Sequence, residues 1–245
     1  MRSLLRELPP TLMTADGSVK WATFRAPDNT LIYRRPDAPD ELTEIALEAA
    51  FTCPAKDTFH ETGGFSDVYR VEAQQMVWAV KKAYYIGREP DLHHGLSALR
   101  ANIAVADGLE RLSQNGENII DNTVPGGTLT RYGFSAPKYS VLCVPGQPNY
   151  LNGRSPALVM DFVAGVEPTN QDQIPPIVQI ETLLERASRV SGMLDSSYID
   201  YDTRKDGSPH YRNFILGPAV RDEQTGVHSK SVIKIDSFAR KPISF

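Results

Sequence analysis

The stretch HETGGFSDVYRVEAQQMVWAVKK, His60 to Lys82, reads as two strands joined by a turn. A glycine pair, Gly63-Gly64, precedes the run Val68, Arg70, Glu72 interleaved with Tyr69 and Val71, and a second run follows from Val77 to Lys82. Period-two alternation is the mark of a strand with one face buried. A glycine-bearing hairpin feeding a strand that ends in lysine can hold a phosphate chain. Glycines let the backbone approach the oxygens, and a lysine on the neighbouring strand supplies the compensating charge.

Working outward, composition bounds what such a hairpin can belong to. The chain has 245 residues, 41% of them hydrophobic, enough for a sizeable core without disulfide staples. A net charge of -4 and a pI near 5.8 argue against a nucleic-acid platform, which needs a dense basic face. Cys53 and Cys143 form no C-x-x-C pair and the five histidines show no ligand spacing, so neither a disulfide framework nor a zinc site is expected. No apolar run is long enough to span a membrane, and residues 1–10 lack the apolar core of a secretory signal. The compartment expected is a reducing cytoplasm.

Residues 1–55 carry turn signals around short apolar pieces and one short helix, Leu42 to Phe51, capped by Asp40; they read as an extension packed on the main domain. An amphipathic helix is predicted over Ser97 to Gln114, closed by Asn115-Gly116. Asn118 to Pro156 reads as loops holding one strand, Tyr139 to Val144. The run Ala157 to Val163 reads as a buried strand, and a helix begins after Pro175-Pro176 with Ile180, Leu184 and Ala187 inside and Glu185 paired with Arg189 outside. A polar stretch, Asp195 to Arg212, leads to a short strand, Phe214 to Leu216, and a last strand, Ser231 to Ile235.

In this order the pieces resemble the protein-kinase fold over roughly Thr58 to Ala239. Glu61, Gly63 and Ser66 stand at the three glycine positions of the loop G-x-G-x-x-G-x-V, with Gly64 and Phe65 at its tip and Val68 after it. W-A-V-K, Trp78 to Lys81, resembles V-A-I-K, thirteen residues on from Val68. V-M-D-F-V-A-G resembles the hinge, and N-F-I-L followed by I-K-I-D resembles the end of the catalytic loop and the metal-binding aspartate.

The resemblance implies an α+β, bilobal protein-kinase-like fold. Residues 56–163 would form an N-lobe with a five-stranded antiparallel sheet and one helix, and residues 164–245 a truncated, mainly helical C-lobe. It implies ATP and Mg²⁺ as cofactors: Gly63, Gly64, Phe65, Ser66, Val68, Ala79, Lys81, Met160, Asp161 and Val163 around the nucleotide, and Asn213 and Asp236 on the metal. The helix acid that pairs with Lys81 would be Asp107 or Glu110. The entry I-I-H-R-D is matched by Tyr198-Ile199-Asp200-Tyr201-Asp202, which makes Asp202 the catalytic base, with Asp206 the second choice. Counting five back from Asn213 gives Ser208, which accepts no proton at neutral pH. D-S-F stands where D-F-G is expected, and no A-P-E element follows in this sequence. This truncation resembles the minimal effector kinases that bacterial pathogens inject, implying a host protein as substrate. The departures in the catalytic loop keep a nucleotide-regulated pseudokinase scaffold as the alternative.

Overall fold

The alternating run around Val68 and the continuous apolar run from Val77 are both strand patterns, and the computed structural model folds them into one sheet. The structure describes residues 5–13, 19–52, 59–62, 66–73, 75–83, 92–123, 127–147, 152–170, 173–191, 199–200, 211–235 and 238–239. In chain order these form β1 (Arg6–Met13), β2 (Val19–Arg25), β3 (Leu31–Arg34), α1 (Asp40–Phe51), β4 (Phe59–Thr62), β5 (Ser66–Ala73), β6 (Met76–Ala83), α2 (Leu92–Gln114) and β7 (Ile119–Thr123). There follow β8 (Leu129–Ser135), β9 (Tyr139–Val144), β10 (Ala157–Asp161), α3 (Ile177–Ser191), β11 (Ile199–Asp200), β12 (Phe214–Arg221), β13 (His228–Lys234) and β14 (Phe238–Ala239). The fold class is mixed α+β, with three helices and mostly antiparallel sheets among the described residues.

The chain divides into two compact units, one of residues 1–99, 138–162 and 242–245, the other of residues 100–137 and 163–241. The expected break after residue 163 falls one residue from a unit boundary. The segment 100–137, assigned by sequence to the first domain, belongs to the second unit.

The first unit carries an eight-stranded sheet in the order β1-β2-β3-β9-β10-β6-β5-β4, in which neighbouring strands run antiparallel. The expectation of five strands is corrected here. β4, β5, β6, β10 and β9 are contiguous, and the first 34 residues add three more strands beyond β9. Residues 1–55 are therefore no extension with a single helix; they supply strands to the same sheet. Pro9 and Pro10 read as turn signals, yet both lie inside β1, between Leu8 and Leu12 where the register with β2 shifts and no ladder bond is needed from them. Leu42, Ala46, Ala49 and Ala50 of α1 pack on Trp78, Val80, Val141, Cys143, Ala157 and Val159. Small alanines let helix and sheet approach closely, and each large side chain so buried contributes about 1.5–3 kcal/mol. The helix starts at Asp40 with Pro39 as its N-cap and no side-chain cap bond, so Asp40 is not the cap the sequence suggested. Its carboxylate instead meets Arg34 Nη1 at 2.5 Å in the first turn, where a helix favours negative charge.

The second unit carries a four-stranded sheet, β12-β13-β8-β7, in which β13 and β8 run parallel, and a two-stranded ladder, β11-β14. Tyr132, Phe134, Phe214 and Val232 pack on Val105, Leu109 and Leu112 of α2 and on Ile180, Leu183, Leu184 and Ala187 of α3. The helices meet at Gly108, where an added Cβ would lie 1.8 Å from the carbonyl oxygen of Ala187. The expected ion pair between Glu185 and Arg189 is present. Two expectations are overturned. The stretch after Asn118 holds strands β7 and β8 as well as β9, and the described residues after 164 are not mainly helical, because among them one α-helix, α3, is followed by β11 to β14.

Candidate functional site

Strand alternation sends the consecutive lysines Lys81 and Lys82 to opposite faces of β6. Lys82 shares the α1 side with Trp78 and Val80. Its Nζ donates to the carbonyl oxygens of Ala49, Thr52 and Gly153, the latter two at 2.6 Å. Last-turn carbonyls carry the negative end of the helix dipole, so the buried ammonium caps α1 and ties it to the strap before β10. Lys82 is thus assigned to the fold.

Lys81, 3% exposed, lies on the other face. Register places Val68 and Leu158 directly across from it, Met160 and Arg70 across from Ala79, and Ser66 across from Ala83. Cross-strand partners share a face, so Ser66, Val68, Ala79, Lys81 and Met160, all predicted from sequence, come together on one side of the sheet. Ser66 opens β5 as a buried strand residue paired in the ladder, which places the third glycine position inside regular structure. Gly63, Gly64 and Phe65 lie outside the described residues, as does Cys53.

At the end of β10, the Asp161 N–H donates to Lys138 O at 3.0 Å and the Phe162 N–H to Val77 O at 3.3 Å. The guanidinium of Arg70 sits 5.7 Å from the Phe162 ring centroid. Burial pushes the Asp161 carboxyl above its ordinary range, against the opposing pull of Lys138 and Arg35. Lys138 bonds Asp37 at 2.5 Å, and that bond holds Asp37 below the usual carboxylate range. Val163 is half-buried.

In the second unit, Asp107 and Glu110 separate clearly. Asp107 is 5% exposed, with Arg111 Nε 3.4 Å from its Oδ2, whereas Glu110 is exposed. Asp107 is the acid that the fold takes out of water. Asn213, 6% exposed, ends a single 3₁₀ turn, Tyr211–Asn213, and leads into β12. Phe214 pairs with Lys234 across the β12–β13 ladder, and the Ile235 N–H donates to Asn213 O at 2.9 Å. The two ends of this hairpin are therefore fixed to each other, and Asp236 follows Ile235 by one peptide link of about 3.8 Å between Cα atoms. In the ladder β11–β14, Asp200 pairs with Phe238. Asp202, Asp206, Ser208 and Asp236 lie outside the described residues.

Among the described residues no group of three His, Cys, Asp or Glu side chains could hold a metal ion, and no helix is long and apolar enough to cross a membrane. Cys143 is a free, buried cysteine, its thiol pushed up to about 12 by burial. Two residues went unnoticed in the sequence reading, Lys82 and Lys234. The doublet Lys81-Lys82 signals the first, since neighbours on a strand cannot face the same way. Lys234, 2% exposed, could have been found from its place between the apolar residues Ile233 and Ile235. Comparison with family models, with curated proteins and with solved structures gives no match.

Proposed function

We propose that the chain is an ATP- and Mg²⁺-dependent protein kinase that transfers the γ-phosphate to a Ser, Thr or Tyr hydroxyl of a protein. The observation that carries this reading is the bond from the Ile235 N–H to Asn213 O, which fastens one metal-ligand candidate to the residue before the other. The shared face of Ser66, Val68, Ala79, Lys81 and Met160 supports it independently.

In this reading Lys81 holds the α- and β-phosphates, and Val68, Ala79 and Met160 form the apolar surface for adenine, with the backbone of Asp161 and Val163 at its edge. Of the two helix acids that the resemblance offers, Asp107 or Glu110, Asp107 is the buried one. Asn213 and Asp236 would offer the hard oxygen donors that magnesium takes. When bound, Mg²⁺ supplies charge neutralisation at the β- and γ-phosphate oxygens. Asp202 orients the acceptor hydroxyl and takes its proton. The acceptor is a host protein, with the enzyme delivered from a bacterium, as the resemblance to minimal effector kinases implies.

A second reading, a nucleotide-regulated scaffold without transfer, is favoured by Ser66 standing within the β5–β6 ladder rather than in a pliable glycine loop. Incubation with Mg²⁺ and ATP labelled at the α- or γ-phosphate separates the cases. The kinase reading expects protein label from γ-labelled ATP alone. Label from α-labelled ATP means AMP transfer. No label from either, together with a rise in melting temperature on adding Mg-ATP, favours the scaffold; at 100 times Kd the stabilisation is about 2.7 kcal/mol.

A further inference from the structure

In the four-stranded sheet of the second unit, β12 and β7 stand at the two edges, and the sequence treats them differently. β12 carries Pro218, and on its outer side Val166 exchanges backbone bonds with Leu216. β7, Ile119–Thr123, has no proline, glycine or lysine and runs beside β8 without a register shift. Proline, lysine and irregularity are the devices by which natural edge strands resist pairing. The Phe134 N–H donates to Asn118 O at 2.8 Å, which makes Asn118 and Phe134 a hydrogen-bonded pair. Such pairs alternate along an antiparallel ladder, so Ile120 and Asn122 turn their backbone groups to β8, and Ile119, Asp121 and Thr123 turn theirs outward. Among the described residues no backbone group meets these outward ones, and all three residues are exposed, Ile119 to 42%.

We infer that β7 is a self-pairing edge: it joins β7 of a second copy of the chain, antiparallel about a two-fold axis, and so fuses the two copies' sheets into one. Only residues with outward backbone groups exchange bonds, which restricts the register. An axis at Asp121 sets two carboxylates directly opposite each other, which is destabilising. An axis at Asn122 leaves the exposed Ile119 beyond the pairing. An axis at Ile120 pairs Ile119 with Asp121 of the second copy, and the reverse. Ile120 is half-buried against the core that holds Tyr132 and Phe134, so in this register it meets its own copy and continues that core across the seam. Asp121 arrives already neutralised, because Arg131 Nε and Nη2 donate to its two oxygens at 2.9 and 3.0 Å, and no unanswered carboxylate enters the contact. A patch that fits itself about a two-fold axis is the commonest way soluble chains associate. The pairing is independent of the kinase reading.

The test is sedimentation of the full chain from micromolar concentration up to about 1 mM, the range of a small edge contact, with amide hydrogen exchange read at both ends of that range. Wild type is expected to pass from monomer to dimer. The Ile119 and Asp121 amides are expected to exchange at least about tenfold more slowly in the concentrated sample, while those of Ile120 and Asn122, bonded to β8, are slow in both. Asp121→Pro deletes an outward N–H that β8 does not use and is expected to weaken association by at least about tenfold. Asp121→Asn keeps that N–H and is expected to dimerise, which separates loss of the backbone bond from loss of the ion pair with Arg131. A monomeric wild type, or a dimer whose Ile119 and Asp121 amides still exchange fast, overturns the inference and leaves the edge to a strand of another protein. Undiminished dimerisation of a folded Asp121→Pro overturns it as well; where that variant does not fold, the wild-type exchange pattern decides.

Discussion

Lys81 and Lys82 are consecutive, both buried, and committed to opposite faces of β6: Lys82 closes the carbonyl end of α1, and Lys81 lies among Val68, Ala79 and Leu158. Replacing each by methionine should give opposite phenotypes. Lys82→Met leaves buried carbonyls unmet and is expected to cost about 2–4 kcal/mol in urea unfolding, with transfer retained by the folded fraction. Lys81→Met is expected to lower phosphoryl transfer by about 10²–10³-fold while changing stability less than Lys82→Met does. A reversed pattern would reassign the two lysines.

Gly108 is required by the closeness of α2 to α3. Alanine is the better helix former by about 1 kcal/mol, but its Cβ would lie 1.8 Å from Ala187 O, on backbone that cannot swing away. Gly108→Ala should therefore lower stability by about 1–3 kcal/mol in denaturant unfolding. A gain in stability would show that the helices stand further apart.

Asp161 gives a pH signature. Its carboxyl is raised from 3.8, first by burial, so its contribution favours the folded state fully only below 3.8 and is lost as the pH rises through the folded value. Asp161→Asn should unfold at the same or higher temperature than wild type at neutral pH, and the difference should vanish in acid. Because the proposed role of Asp161 lies in its backbone, the variant should keep its transfer activity.

Cys143 should be inert in the native protein. Burial pushes its thiol to about 12, with Asp28 adding to the rise and Lys82 opposing it. In a Cys53→Ser background, alkylation by iodoacetamide at mildly alkaline pH is expected only after denaturant opens the first unit. Rapid native alkylation would contradict the burial of β9.

How much of this was legible in the sequence varies by element, for identifiable reasons. β5 and β6 were read with nearly their observed bounds because β5 alternates and β6 is a continuous apolar run ending in lysines. α3 announced itself through Pro175-Pro176 and a clean apolar stripe. β1 was missed because its two prolines fall where the ladder with β2 is irregular, and β7 because none of its residues is buried and only Ile119 and Ile120 are apolar. β8 was hidden by the Pro125-Gly126-Gly127 cluster, although Thr130, Tyr132 and Phe134 alternate as an inward face. α2 begins at Leu92, five residues before the expected Ser97. For the site, Lys81, Asn213 and Met160 were candidates by their spacing alone. Choosing Asp107 over Glu110 needed burial, which depends on where the helix faces.

The central claim is that phosphoryl transfer depends on the hairpin that fastens Asn213 to Ile235 and ends at Asp236. It is tested most directly by label incorporation from γ-labelled ATP with Mg²⁺ in wild type and in Asp236→Ala. The account predicts protein-bound label in wild type and a loss of at least about 10²-fold in the variant; equal labelling of the two proteins would contradict it.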